Sequence, residues 1–160
     1  MQTTDAAMQT SFQTSFEATQ EFLPPHLRMA KLMRMLSGVD AADVPALRGM
    51  IEETGGLSRA EADALIAIEA APAPKCDDWA AFFIDALTDH IVWQSRPTGV
   101  VNESQGEWLI AMADRCNSQN ALGALANVAA EAHRLPLWFV AAVRARLARS
   151  GAPVDLSLVA

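Results

Sequence analysis

The sequence has no tyrosine, few other aromatic residues and no surplus of basic residues. Aromatic residues make up 6% of the 160 residues, and much of the 51% hydrophobic content is Ala, Leu and Met. This composition favours helices, because strands are enriched in β-branched and aromatic residues. The net charge of −7 argues against a general binder of nucleic acids or anionic membranes, since both need a basic surface.

Long apolar runs are missing as well, and none approaches the roughly 18 residues that span a bilayer. The N-terminal residues contain no Lys or Arg and no apolar core, so we expect no secretory signal there. The only cysteines, Cys76 and Cys116, lie far apart in the sequence. We expect two free thiols in a cytoplasmic protein, although the spacing leaves a disulfide open.

Motifs of catalysis are also lacking. No Ser/His/Asp or Cys/His signature is recognisable, and Gly55-Gly56 lacks the Lys and the preceding strand of a phosphate-binding loop. His90 and His133 are single histidines near apolar faces. Such a histidine typically forms one hydrogen bond and does not bind a metal ion. The sequence therefore predicts no enzyme activity and no cofactor.

Helical periodicity, capping residues and Pro/Gly breaks predict an all-α fold of about seven helices in one compact bundle over residues 23–150. Residues 1–22 are rich in Gln, Thr and Ser, and we expect a partly disordered or loosely helical segment. Residues 151–160 form a predicted C-terminal tail.

The apolar stripes predict which faces are buried. The strongest stripe marks a long helix that we expect to be the spine of the core: Trp79, Phe82, Phe83, Ala86, Leu87 and Ile91. The first helix carries Leu27, Ala30, Met33 and Leu36, with Arg28, Lys31 and Arg34 on another face. The last helix carries Leu137, Phe139, Val140, Val143 and Leu147. Core packing explains the remaining tryptophans, which are Trp93, Trp108 and Trp138. An aromatic residue near a loop can also anchor an interface.

An imperfect internal repeat appears when the chain is shifted by 44 residues. Gly55–Ser58 then matches Gly99–Asn102, and Leu65–Ile68 matches Leu109–Met112. The glycine supplies a turn with positive φ, and the polar residue three places on caps the following helix. This layout predicts two EF-hand-like helix–loop–helix units.

The loops of these units lack the residues that calcium needs. A calcium loop has carboxylates at its first and last positions. The first loop has Met50 at the first position, and the second has Gln94 and Gln105 at the two ends. We therefore expect no calcium binding.

The all-helical chain, the Gly-x-[Leu/Val]-[Ser/Asn] turn and the acidic helix after it resemble the TerB-like (tellurite-resistance) family over about residues 42–147. The closest similarity is to bacterial relatives with a Trp-Gln…Pro-x-Gly-x-Val-x-Glu…Trp-Leu-Ile segment, here Trp93–Ile110. The resemblance implies a helical domain with acidic residues that bind metal in the family. This chain has no complete matching set, so no metal site is transferred.

Two sets of charged residues are candidates for function. Asp85 and Asp89 share a helix face and can hold a divalent cation together with Glu103 or Glu107, or they can form a solvated acidic face. Arg144, Arg146 and Arg149 form a basic end of the last helix, which either complements the helix dipole or docks an acidic partner. Residues 37–114 have 14 acidic and 4 basic residues, whereas residues 115–160 have 2 acidic and 5 basic ones, which also fits intramolecular complementarity.

The sequence thus predicts a non-enzymatic protein-interaction or accessory module of a bacterial cytoplasmic protein, with another protein as its partner. The alternative is a divalent-metal-binding protein that uses the acidic residues of the central helix. Neither reading identifies the partner or the oligomeric state.

Overall fold

The computed structural model describes residues 23–151, and within this range the chain folds into seven α-helices. They are α1 (Pro25–Arg34), α2 (Asp43–Thr54), α3 (Arg59–Ala70), α4 (Trp79–Thr88), α5 (Glu103–Cys116), α6 (Gln119–Glu131) and α7 (Leu137–Ser150). A 3₁₀ turn (Met35–Ser37) follows α1, and a π-helical turn (Asp89–Trp93) extends α4. The predicted all-α fold with seven helices is confirmed. Residues 1–22 and, apart from Gly151, the tail lie outside the described residues.

The core is built around α4, as its apolar stripe predicts. All six residues of the stripe are buried: Trp79, Phe82, Phe83, Ala86, Leu87 and Ile91. α6 packs along α4 with its small residues, and a side chain at Gly123 would overlap Ile84. Small residues on α6 therefore let the two helices approach closely.

The internal repeat produces the same local geometry twice. Gly55 and Gly99 both have φ of 75°. Ser58 and Asn102 both cap the next helix, and each exchanges two hydrogen bonds with the residue three places on, Glu61 or Gln105 respectively. The turns and caps of the predicted repeat are confirmed.

Each repeated turn is fastened to another segment of the chain. The Leu57 N–H donates to Gln94 Oε1 at 3.0 Å, and the Val101 N–H donates to the Arg134 carbonyl at 3.0 Å. Within the described range, no backbone bridge joins the two turns to each other. The EF-hand-like character of the two units therefore stays a prediction.

The predicted inner face of α1 is wrong. Leu27 and Met33 are 46% and 41% exposed, whereas Arg28 is only 4% exposed. Arg28 is tolerated inside because its Nε donates to Glu61 Oε1 at 2.6 Å, and a buried charge needs such a partner. The periodicity of the apolar residues could not reveal this pair, since its partner lies on α3.

All four tryptophans donate their indole N–H to a carboxylate on another element. Trp79 on α4 bonds Glu69 on α3 at 2.6 Å, and Trp93 in the π-helical turn bonds Glu131 on α6 at 2.7 Å. The other two bonds tie α5 to α3 and α7 to α5: Trp108 to Asp63 and Trp138 to Glu103. Only Trp79 is fully buried, and the expected core positions of Trp93 and Trp138 are wrong, because they are 43% and 38% exposed.

The single histidines differ in their surroundings. His133 is exposed and packs against Gly99 and the edge of Trp93. The Nδ1 of His90 is buried, and no described residue forms a hydrogen bond with it. Burial lowers the pKa of His90 below its ordinary value of 6.5, because the charged imidazolium loses solvation. Hydrogen bonding with the Gln94 side chain and the Leu57 backbone opposes this lowering of the His90 pKa.

No helix between residues 23 and 151 is long and apolar enough to cross a membrane.

The bond from Trp79 to Glu69 predicts a large loss of stability for Trp79→Phe. Phenylalanine lacks the N–H and leaves a void, so we expect the free energy of unfolding to fall by about 3 kcal/mol. Chemical denaturation measures it. Trp93→Phe removes the corresponding bond at an exposed site and should cost less than about 1 kcal/mol. Equal losses in the two variants would contradict the central role of the buried bond.

Substitution by alanine should have opposite effects on stability at Gly56 and at Gly49. Its φ is 151°, and an added Cβ would overlap the Gln94 amide, whereas Gly49 lies in α2 with open space around it. We expect Gly56→Ala to lower the free energy of unfolding by about 1–3 kcal/mol. Gly49→Ala should raise it by roughly 0.5–1 kcal/mol, because alanine loses less entropy in a helix. A Gly56→Ala protein as stable as the parent would refute the packing of the first turn against Gln94.

Candidate interaction surface

The structure does not bring the four predicted metal-binding carboxylates together. Asp85 pairs with Arg48 of α2 at 3.6 Å, whereas Glu103 accepts the Trp138 indole N–H on α7. Glu107 is exposed on α5. Among residues 23–151, no group of three or more His, Cys, Asp or Glu side chains is arranged to hold a metal ion.

Asp89 nevertheless lies in an unusual electrostatic setting. Partial burial raises its pKa above the ordinary value of 3.8, and the nearby carboxylates of Glu131 and Asp85 raise it further, while Arg48 opposes them. A small cavity of about 110 Å³ lies beside it, between α2 and α4. Arg48 partly neutralises this acidic groove, so a cation would compete with an arginine that is already present.

The three arginines of α7 do not form one surface. Arg146 is turned towards α5, where its Nε and Nη2 donate to the two carboxylate oxygens of Asp114 at 2.8 and 2.7 Å. Its side chain is only 18% exposed. Arg146 therefore connects α7 to α5, while Arg144 and Arg149 are exposed. The contact of these arginines with a partner stays a prediction.

The outer face of α7, which we define as Leu137, Ala141, Ala145 and Ala148, is apolar and exposed. These residues follow one another at helical spacing and therefore share one side of the helix. Leu137 is 89% exposed, so its predicted core position is wrong. The opposite side carries Phe139 and Val143, which are fully buried.

The start of this face is held in place by Trp138. Its indole ring packs over Gly106 of α5 and edge-on against Phe139, and its N–H bonds Glu103. Because these contacts fix the first turn of α7, Leu137 is presented to solvent by a rigid element. Exposed apolar side chains on a rigid element are typical of a binding surface.

α7 contains three arginines and no acidic residue, and Arg144 and Arg149 lie at opposite edges of the outer face. α1 likewise contains three basic residues and no acidic one, but two of them, Arg28 and Arg34, are paired with Glu61 and Asp43. Residues 37–114 carry 14 acidic and 4 basic residues, a net charge of −10. The arginines at the edges of the outer face can therefore attract an acidic molecule, whereas the acidic residues between 37 and 114 repel it.

A helical-wheel reading of α7 could have separated Arg146 from Arg144 and Arg149, since it lies on the side of Val143. The exposure of Leu137 had no such signal, because a leucine at the first turn of a helix fits a core position equally well.

Comparisons of the chain with protein-family models, with curated proteins and with solved structures find no match. The resemblance to the TerB-like family therefore stays a prediction, and function has to be argued from the residues themselves.

The Arg146–Asp114 pair should make the stability of the protein depend on the titration of Asp114. The hydrogen bonds from Arg146 lower the pKa of Asp114 below its ordinary value of 3.8. A lowered carboxyl pKa contributes stability that is present above the unfolded pKa and is lost as the pH falls through the folded pKa. Arg146→Met should therefore be less stable than the parent near pH 7, and the difference should shrink below about pH 4.

The effect on stability is small, because 56% of the Asp114 side chain is exposed. The sharper readout is the NMR titration of the Asp114 carboxyl carbon, which should shift to a higher pKa in Arg146→Met. Arg96→Met removes an exposed arginine of the central turn and should leave that titration unchanged. An Asp114 pKa that is the same in all three proteins would contradict the pairing.

Proposed function

We propose that this chain is a non-enzymatic protein-interaction module of the bacterial cytoplasm, and that it binds an acidic partner protein through the outer face of α7. The observation that carries the proposal is the exposed apolar face that starts at Leu137 and has an arginine at each edge. The free thiols of Cys76 and Cys116 agree with a reducing compartment.

The chemistry of the surface specifies the kind of partner. Leu137 and three alanines offer a smooth apolar strip, on which another helix can lie closely. Arg144 and Arg149 at its edges favour carboxylates on both sides of the partner's apolar residues. We therefore propose that the partner contributes an amphipathic helix with acidic flanks, which is a common mode of recognition.

The divalent-metal alternative has no observation in its favour among the described residues. Asp85 is paired with Arg48, and Glu103 is occupied by Trp138. We therefore do not pursue it as a second function.

Site-specific photocrosslinking tests the proposal. A photoreactive amino acid at Ala141, in cells that express the protein natively, should give an adduct with one acidic protein. The same amino acid at Ala60, an exposed alanine of α3, should not give this adduct. The adduct at position 141 should be lost when Leu137→Asp is added, or when Arg144→Glu and Arg149→Glu are combined.

A charge-matched control keeps the result interpretable. Arg96→Glu combined with Arg115→Glu makes the same change of charge at exposed arginines outside α7 and should leave the adduct intact. An adduct of the protein with its own second copy, an adduct that survives the α7 changes, or no adduct at position 141 would each overturn the proposed acidic partner.

A further inference from the structure

A cavity of about 510 Å³ opens where the start of α1 meets the turn between α2 and α3. Its volume is within the usual range for small-molecule sites. The wall combines apolar residues of both segments with a few polar ones: Leu23, Pro24, Pro25, Leu57, Arg28 and Gln94. This cavity shares no residue with the outer face of α7.

The polar side of the cavity is the buried guanidinium of Arg28, whose side chain is only 5% exposed. Its Nε donates to Glu61 Oε1 at 2.6 Å. Among the described residues no hydrogen bond from either Nη atom is found, and neither is a buried atom without a partner, so both are accessible to water. Arg28 lines the cavity, and its accessible Nη atoms can donate to water or to the oxygen atoms of a ligand.

The acceptors nearby are already occupied. Glu61 Oε1 is held by Arg28, and its Oε2 accepts the Ser58 N–H at 2.8 Å. Gln94 Oε1 accepts the Leu57 N–H, which leaves the Nε2 end of that amide to donate.

The backbone of the turn adds no further donors at this point. The N–H groups of Gly55 and Gly56 are used by the carbonyls of Glu52 and Ile51. The recognition chemistry thus rests on the planar pair of Nη atoms, whose spacing matches the two oxygens of a carboxylate.

We propose that this cavity binds a carboxylate attached to an apolar body, with the carboxylate on the Nη atoms of Arg28 and the apolar part against Leu23, Pro24 and Leu57. A dianion such as phosphate fits less well, because Glu61 lies beside the guanidinium and repels a second negative charge. The ligand that this chemistry fits is a free small acid with an apolar body.

NMR titration with benzoate tests the site, using the full chain labelled with ¹⁵N. Benzoate should shift the Arg28 Nε–H, the Gln94 side-chain amide and the Leu57 amide in a saturable way. Benzamide, a neutral molecule of the same shape, should not cause these shifts, and inorganic phosphate should be at least several-fold weaker than benzoate. Arg28→Lys keeps the charge but loses the paired donors, and it should weaken benzoate roughly tenfold.

A further variant controls for folding. Arg48→Lys, at an arginine outside the cavity, should bind benzoate like the parent and shows that a loss in Arg28→Lys is local. The proposal is overturned if benzoate does not bind the parent, or if benzamide binds equally well.

The result is independent of the proposed interaction with a protein. Combining Arg144→Glu with Arg149→Glu should abolish the photocrosslink on α7 and leave the benzoate shifts unchanged. Loss of the benzoate shifts in that variant would show that the carboxylate binds at α7, which would also overturn the assignment to Arg28.

Discussion

The hydrogen bond between an indole N–H and a carboxylate is the interaction on which this helical bundle depends. Each of the four tryptophans makes one, and each bond joins two different elements. The bond from Trp79 to Glu69 is the critical one, because both residues are buried and the Trp79 N–H is the closer of two donors to Glu69 Oε2, at 2.6 Å against 3.3 Å for the Asn120 amide. It joins α4, the spine of the core, to α3, and the exposed bonds orient the surrounding elements.

This interaction also explains part of the acidic composition. Glu69, Glu131, Asp63 and Glu103 serve as acceptors for indoles, Glu61 holds the buried Arg28, and Asp114 holds Arg146. Of the four candidate metal ligands, Glu103 thus connects α5 to α7, and Asp85 pairs with Arg48 of α2. Arg144 and Arg149 lie at the edges of the outer face of α7, where they can attract an acidic partner. The cavity at Arg28 is a separate feature, formed by the start of α1.

Features set by neighbouring residues could be predicted from the sequence, and features set by distant ones could not. The helices, the two capping boxes at Ser58 and Asn102, and the buried stripe of α4 follow from local spacing, and the structure confirms them. The burial of Arg28 and the exposure of Leu137 depend on what α3 and α5 place next to them, so the apolar pattern of a single helix gives the wrong answer. The Trp108–Asp63 bond, between residues 45 positions apart, illustrates why the contacts of the candidate metal and interaction residues could not be predicted from the sequence. The packing of the helices determines which side chains these candidate residues contact.

Hydrogen exchange of the four indole N–H groups, followed by NMR, tests this account most directly. The bond from Trp79 to Glu69 predicts that the Trp79 indole exchanges only when the whole domain unfolds, with the same free energy as the slowest backbone amides of α4. The indole of Trp93, which is 43% exposed, should exchange much faster through local opening. A Trp79 indole that exchanges as fast as that of Trp93 would show that the buried bond does not hold α3 against α4, and would contradict the central claim.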